Sequence, residues 1–203
     1  MKMIVEKLNR SDKEEAVRVL ASAFYDYPVM RYVLKSTGEK YESDLKALME
    51  FFCESRLTRE FPLLGIRNDS NLVVAAGINE PEYKPRSPEL NKVFSDLINT
   101  VGKEAISRYE SYEKKANPKG LDVPHYFLGI IGVVQAHQGK GYAKQIIEEV
   151  QRMSETHPAS KGVCLCTEDP PNVPLYEHIG YKVISEADVG DIHTWAMFRK
   201  NRK

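Results

Sequence analysis

The sequence predicts an α/β protein with a mixed β-sheet, and three features support this fold class. Two apolar runs at residues 62–67 and 72–78 flank a polar turn at 68–71, which is typical of a β-hairpin. A strand at 125–134 leads through a helix to a strand at 163–167, an order that predicts a parallel pair. Further strands are predicted at 1–8, 181–185 and 192–198. The sheet is therefore expected to combine parallel and antiparallel neighbours.

Helical periodicity accounts for much of the remaining chain. Ser11 and Glu14 have the spacing of a capping box and predict a helix that carries an apolar stripe to Phe24. Pro28 predicts a break, with a short helix after it that ends near Leu34. Apolar stripes also predict helices at about 38–57, 89–115 and 143–153. We expect one domain over residues 1–203, in which the 38–57 and 89–115 helices are insertions.

Composition and charge exclude several classes of protein. The 203 residues include 29 basic and 29 acidic side chains, a balance that favours neither a nucleic-acid nor a membrane partner. Because the sequence shows no bilayer-length apolar run and no signal segment at its start, we expect a cytoplasmic protein. We also expect it to be a monomer or a homodimer. Three cysteines are too few for a disulfide framework. Cys164 and Cys166 share one strand face without nearby metal ligands, so we expect buried free thiols and no metal.

A glycine-containing turn joins the 125–134 strand to the following helix. Gly139 and Gly141 let the backbone approach an anion closely, and the free amides of the helix start attract a phosphate. Lys140 and Lys144 can add positive charge at the rim. The spacing fits neither a Walker loop nor a dinucleotide fingerprint. The turn therefore predicts a different kind of phosphate site.

Two glycines inside the strand before this turn indicate a bulge or a close approach. Gly129 and Gly132 weaken strand pairing, and a bulge would separate this strand from its parallel neighbour. Backbone amides exposed in that way need partners. An amide-rich ligand arm could pair with them as an added strand does.

A second motif follows the 163–167 strand. Asn172 is a suitable N-cap, Pro174 fits the first turn, and Gly180 is a natural C-terminal stop, so a short helix is predicted between them. This helix places Tyr176 near the open end of the sheet. A phenol at that position can donate a proton to a leaving group, although a tyrosine packed in the core is the alternative.

Both motifs resemble those of the GNAT superfamily of N-acetyltransferases, in which Q-x-G-x-G/A opens a helix after an apolar strand and N-x-x-x-Y-x-x-x-G-[FY] follows. Gln135 stands where those proteins usually have proline. The resemblance implies a mostly antiparallel sheet with a splayed parallel pair, and acetyl-CoA as cofactor. It also implies that Tyr176 protonates the departing CoA thiolate. The cofactor-binding residues that it implies are Ile131, Gly132, Val133, Gln138, Gly139, Lys140, Gly141, Tyr142, Ala143, Lys144 and Asn172.

The general base is left open by the sequence. Several GNAT members carry a carboxylate on the strand before the turn, and the corresponding position here is near Phe127. His125 lies on the same strand face and has a suitable intrinsic pKa, so it is the candidate base. A hydrogen-bonded structural histidine is the alternative, and a water chain or prior deprotonation would also suffice.

A looser resemblance concerns the acceptor. Residues 21–34 and the 195–197 strand are similar to puromycin N-acetyltransferase-like proteins, which implies a small-molecule amine as acceptor. Tyr25, Asp26 and Tyr27 are candidate substrate-binding residues, because acidic and aromatic groups suit a cationic amine; a polar turn with packed rings is equally compatible. Two other functions remain open: a protein or peptide amine acetyltransferase and a non-catalytic CoA-binding module.

Overall fold

Seven strands form one mixed sheet in the computed structural model, which describes residues 3–202. The strands are β1 (Val5–Lys7), β2 (Leu63–Asn68), β3 (Asn71–Asn79), β4 (Tyr126–Val133), β5 (Gly162–Thr167), β6 (Lys182–Val189) and β7 (Ile192–Lys200). Their order is β1-β2-β3-β4-β5-β7-β6, and only β4 and β5 are parallel. The predicted hairpin is confirmed as β2 and β3, and the mixed sheet with one parallel pair is confirmed as well.

Seven helices cover the two faces of this sheet over the described residues. They are α1 (Lys13–Ala23), α2 (Pro28–Leu34), α3 (Gly38–Thr58), α4 (Pro88–Val101), α5 (Lys103–Ala116), α6 (Tyr142–Thr156) and α7 (Asn172–His178). No helix of residues 3–202 combines the length and apolarity that a bilayer crossing needs.

Helices α1 to α5 pack on one face of the sheet and α6 packs on the other. On the first face, Leu20, Leu45 and Met49 are almost fully buried in the larger apolar cluster. On the second face, Ile146 and Val150 of α6 are fully buried against the strands. Burying an aliphatic side chain of this size stabilises the fold by about 1.5–3 kcal/mol. Packing of the sheet between these two layers therefore holds the strand ends in place.

Four local predictions need correction. The first strand is shorter than expected, Val5–Lys7, and Met1 and Lys2 lie outside the described residues. The capping box forms between Asn9 and Asp12, because a short 3-10 turn precedes α1. The predicted 89–115 helix is two helices that meet at Gly102, whose φ of 86° is incompatible with α-helix. Asn172 is the first residue of α7 rather than its cap.

Candidate active site

The parallel strands β4 and β5 separate partway along their length. Their ladder joins Tyr126 to Val163 and ends where Leu128 meets Leu165. Opposite, the register of β3 shifts so that Gly129 is an extra residue in β4. Leu128 packs on the α6 face and Ile130 on the α1 face, although they are two positions apart and regular alternation would put them on one face. The predicted bulge therefore lies at Gly129, and it turns β4 away from β5.

Gly129 and Gly132 each require glycine for a different structural reason. A Cβ at Gly129 would lie 2.6 Å from Nη2 of Arg56, so the guanidinium fills the space beside the bulge. A Cβ at Gly132 would lie 2.8 Å from the Cβ of Ala23, so the absence of a side chain lets α1 pack closely on β4. Gly132 thus reflects helix packing, and Gly129 reflects the separation of the strands.

The turn after β4 is open and built from backbone. Gly139 and Gly141 have φ values of 73° and 77°, a left-handed conformation that other residues adopt only with strain. Apart from the adjacent residues, no atom of the described chain lies within 4 Å of the position that a Cβ would take at either glycine. Gln138 donates its side-chain amide to the Val133 carbonyl at 3.2 Å and so ties the turn to the end of β4. The turn leaves room for a ligand directly above its backbone.

The first turn of α6 points its free amides at this space. Gly141 is the N-cap and provides no side-chain hydrogen bond to the helix. The amides of the first three residues, Tyr142, Ala143 and Lys144, have no intrahelical acceptor, and the helix dipole makes this end positive. The side chains of Lys140 and Lys144 are exposed beside it. Both the backbone and the side chains here favour an anion.

The other end of the strand gap is closed by α7. Asn172 donates its side-chain amide to Oγ1 of Thr167 at 3.3 Å, which fastens α7 to the end of β5. The helix ends at the predicted stop, because Gly180 has a φ of 98° and the Tyr181 amide returns to the Tyr176 carbonyl. Burial, with nearby Glu168 and Asp169 charges, raises the pKa of Tyr176 to about 12. Tyr176 is therefore a protonated phenol at neutral pH.

A cavity of about 920 Å³ lies over the separated strands on the α1 face. This volume is at the upper end of the roughly 300–1,000 Å³ that is typical of small-molecule sites. Residues from four segments of the chain form its aromatic wall: Phe24, Tyr27, Phe52, Phe61, Tyr109 and Tyr112. Its floor contains Gly129 and Ile131 of β4, and Asn172 and Tyr176 of α7 line the end near the strand gap. Helices α3 and α5 and the 79–84 loop supply much of the lining.

The three candidate substrate-binding residues separate in space. Tyr27 lines the cavity, where its hydroxyl lies 3.3 Å from Oγ1 of Thr167. Tyr25 and Asp26 are absent from the cavity lining. The Asp26 carboxylate is exposed and pairs with Arg31 at 2.7 Å, and the same guanidinium covers the Tyr25 ring. The structure thus brings Tyr27 to the cavity and leaves Tyr25 and Asp26 outside it.

His125 lies at the edge of the cavity. Its Nδ1 is 2.7 Å from the Val123 carbonyl, so that nitrogen donates its proton and Nε2 is left as the acceptor. The ring edge packs against Phe198 with centroids 6.2 Å apart. Phe127, two residues further along β4, also lines the cavity. His125 is therefore beside the cavity, with one nitrogen engaged in a structural hydrogen bond.

A carboxylate that the sequence did not indicate lies in the cavity wall. Glu168 is only 7% exposed and follows directly after β5. Its Oε1 accepts hydrogen bonds of 2.6 Å from both Tyr112 and Thr194, and its amide donates to the Tyr27 hydroxyl at 3.1 Å. Burial raises the pKa of Glu168 above the usual range of a carboxyl group. An acidic residue at the end of a strand, eight positions before the motif tyrosine, was the available signal.

The cysteines are unsuited to a covalent route. Cys164 is fully buried, and burial raises the pKa of its thiol to about 12. Burial also raises the pKa of Cys166, whose sulfur contacts the Ala116 carbonyl at 3.4 Å. Only a thiolate is an effective nucleophile, so neither group is activated. No set of three or more potential metal ligands occurs within residues 3–202.

A family model and a relative of known sequence both match this chain. The sequence model of the acetyltransferase (GNAT) domain matches residues 125–200, the span that contains β4, the turn, α6 and α7. An uncharacterized N-acetyltransferase of Schizosaccharomyces pombe is 22% identical over 197 residues, which cover 88% of this chain and 74% of the relative.

Solved structures share the fold over nearly the whole chain. A histone acetyltransferase HPA2-related protein of Corynebacterium glutamicum is 16% identical with a TM-score of 0.74, over 100% of this chain and 98% of that one. Arylalkylamine N-acetyltransferase 2 of Aedes aegypti is 16% identical with a TM-score of 0.68, over 100% of both chains. A Thermoplasma acidophilum N-acetyltransferase in complex with coenzyme A is 14% identical with a TM-score of 0.59, over 98% and 99%.

The sheet with its splayed parallel strand pair therefore has the fold of solved acetyltransferases. More specifically, residues 125–200 match the sequence model of the acetyltransferase (GNAT) domain. The resemblance to puromycin N-acetyltransferase-like proteins stays a prediction.

Proposed function

We propose that this protein transfers an acetyl group from acetyl-CoA to the primary amine of a small molecule, by direct attack in a ternary complex. The observation that carries the proposal is the gap between β4 and β5 beyond Leu128, with an anion-favouring turn at one end and the Tyr176 phenol at the other. A linear thioester with a pyrophosphate and an amide-containing arm matches this arrangement from end to end.

The backbone on the β4 side would hold acetyl-CoA. Amides from Gly139 through Lys144 face the space where a pyrophosphate fits, and Lys140 and Lys144 add charge. The β4 backbone over Ile131, Gly132 and Val133 lies beyond the last β5 pairing, where it can pair with an amide-containing arm as an added strand would. Asn172, at the start of α7, lies beside the same gap. The open space above Gly139 and Gly141 is what such a fit requires.

Tyr176 is suited to protonate the leaving thiolate. As the C–N bond forms and the C–S bond breaks, the phenol donates its proton to sulfur. A pKa of about 12 keeps the phenol protonated at neutral pH, so that it is available as a proton donor. Backbone amides near Ile131 can stabilise the oxyanion of the tetrahedral intermediate. Because both cysteines are inactive thiols, direct transfer without an acyl-enzyme is favoured.

The cavity, which helices α3 and α5 partly cover, favours a small acceptor over a polypeptide. Its aromatic wall suits a compact amine with an apolar or aromatic body, and the Aedes aegypti neighbour is named for arylalkylamines. The insertion helices α3 and α5 contribute to that wall through Phe52, Tyr109 and Tyr112. They occupy the side on which a peptide groove would have to open.

The test is thiol release from acetyl-CoA with a panel that contains benzylamine, 2-phenylethylamine, spermidine and a lysine-containing peptide. We expect turnover with at least one of the small amines and none above background with the peptide. Preference for the peptide would replace the small-molecule acceptor, and binding of CoA without release from any amine would indicate a non-catalytic module.

A further inference from the structure

The cavity wall contains a buried carboxylate, Glu168, that forms no ion pair with a Lys, Arg or His of residues 3–202. Its hydrogen-bond donors are instead two hydroxyl groups, those of Thr194 and Tyr112. Transfer of an unpaired carboxylate out of water is costly, so such groups are usually paired with a cation. A ligand that brings positive charge would provide the missing partner.

The groups around Glu168 are neutral proton donors or thiols. Tyr112 of α5 and Thr194 of β7 bond to Oε1, Tyr27 approaches from the segment between α1 and α2, and Tyr176 of α7 and Cys166 of β5 lie close enough to be affected by its charge. The hydrogen bonds from Tyr112 and Thr194 both reach Oε1. Within the described part of the chain, no side chain donates a hydrogen bond to Oε2, which can therefore accept a proton from a ligand.

Glu168 and Tyr176 belong to the same cavity, as does Ile131 at the strand gap. An amine that attacks the carbonyl carbon of a thioester held in the gap must approach from the cavity. Tyr176, which protonates the sulfur, therefore lies near the position of the incoming nitrogen. Glu168 is close enough for its charge to affect the pKa of the Tyr176 phenol.

We propose that Glu168 receives the acceptor as an alkylammonium ion and removes a proton from it before attack. This inference rests on the proposed acetyltransferase function and names its substrate class, amines that are protonated in neutral solution. The ammonium proton moves to the carboxylate and then to solvent, and the free amine attacks the carbonyl carbon. Tyr176 protonates the departing sulfur, and the second proton lost by the nitrogen restores the phenol, so each turnover releases one proton to water.

The environment of Glu168 suits a proton acceptor. Burial raises the pKa of the carboxyl group, whereas the hydroxyl donors lower it. A base works best when its pKa approaches the working pH, and a raised carboxyl meets that condition better than an exposed one. His125 lies at the cavity edge with one nitrogen bonded to the backbone, so Glu168 replaces it as the preferred base.

The first experiment compares wild-type enzyme with Glu168→Gln on benzylamine and phenylhydrazine. The two acceptors have the same shape, but at pH 7 benzylamine is protonated and phenylhydrazine is neutral. We expect kcat/KM for benzylamine to fall by about 10²-fold or more, and for phenylhydrazine by less than about tenfold. Equal losses with both acceptors would overturn the proposal, because a purely structural role does not distinguish them.

A second readout is the pH profile. In wild-type enzyme the acid limb of kcat/KM for benzylamine should follow ionisation of Glu168, with activity rising as the carboxyl loses its proton. Glu168→Gln should remove that limb, and Tyr112→Phe should move it to higher pH because one donor to the carboxylate is lost. An acid limb that stays at the same pH in both variants would overturn the proposal.

Binding provides a measurement that does not depend on turnover. Calorimetric titration of benzylamine into the enzyme–CoA complex should show affinity that Glu168→Gln lowers about tenfold or more, with CoA affinity unchanged. Wild-type enzyme that binds CoA but binds benzylamine no better than the variant would overturn the role of Glu168 while leaving the cofactor site intact. Loss of CoA binding in wild-type enzyme would instead contradict the proposed function itself.

Discussion

The two halves of the candidate active site are built in different ways. On the cofactor side, the groups that would bind are backbone amides, exposed by the bulge at Gly129 and by the left-handed glycines of one short turn. On the acceptor side, the aromatic wall consists of side chains from four separate segments of the chain. A site made from backbone requires glycine and a strand–turn–helix order, and these are visible in sequence. A site made from side chains depends on tertiary packing, which no local pattern specifies.

The largest effect should follow loss of the phenol that bridges the two halves. We expect Tyr176→Phe to lower kcat by about 10²-fold or more, because the thiolate would leave without a proton donor, while the KM for acetyl-CoA changes little. Steady-state thiol release measures both constants.

Tyr181→Phe is the matched control for this variant. Tyr181 packs against Tyr176 with ring centroids 5.9 Å apart, but its buried hydroxyl has no hydrogen-bond partner among residues 3–202. Its removal should leave kcat within about twofold, since no bond is lost. Similar losses in the two variants would mean that the ring packing, and not the Tyr176 proton, matters.

A smaller effect, on the KM for acetyl-CoA, is expected at the turn that contains Gly141. Gly141→Ala should raise the KM for acetyl-CoA by about tenfold, because a Cβ and a strained left-handed residue disturb the amides that face the pyrophosphate. Gly38→Ala is the control, since Gly38 also has a positive φ of 56° and open space around it, but lies at the start of α3. It should lower the free energy of unfolding by about 1 kcal/mol and leave KM unchanged. A similar rise in KM in both variants would remove the turn from the binding site.

On the acceptor side, a hydroxyl that positions Glu168 should matter less than the carboxylate. Tyr27→Phe removes the acceptor of the Glu168 amide, a bond of 3.1 Å. Loss of one such hydrogen bond costs about 1 kcal/mol, so we expect kcat/KM for amines to fall about fivefold with no change in acetyl-CoA affinity. Equal effects on both substrates would show that the two halves are not separable at this residue.

The smallest effect is expected at a residue that sequence reasoning favoured. Asp26 is exposed and pairs with Arg31 outside the cavity, so Asp26→Asn should change kcat/KM for amines by less than about twofold. Competition kinetics with benzylamine would measure this. A tenfold loss of kcat/KM would show that Asp26 takes part in acceptor binding.

The same contrast explains which predictions succeeded. The hairpin, the strand–helix–strand unit and the bulge near Gly129 were predictable, because each depends on a local alternation or a glycine. The break at Gly102 was missed because the apolar stripe continues through it, and only φ reveals the break. Tyr25, Asp26 and Tyr27 are adjacent in sequence, yet the start of α2 at Pro28 directs only Tyr27 to the cavity. Glu168 was missed because its partners Tyr112 and Thr194 are distant in sequence.

Direct calorimetric titration of the purified protein with acetyl-CoA tests the central claim that the separated strands and the turn form a seat for this thioester. We predict saturable binding with a dissociation constant between about 1 μM and 1 mM, the range of ordinary KM values, and marked weakening in a Gly139→Val, Gly141→Val double variant that remains folded. Absence of binding at millimolar acetyl-CoA, or equal binding by the double variant, would contradict the account.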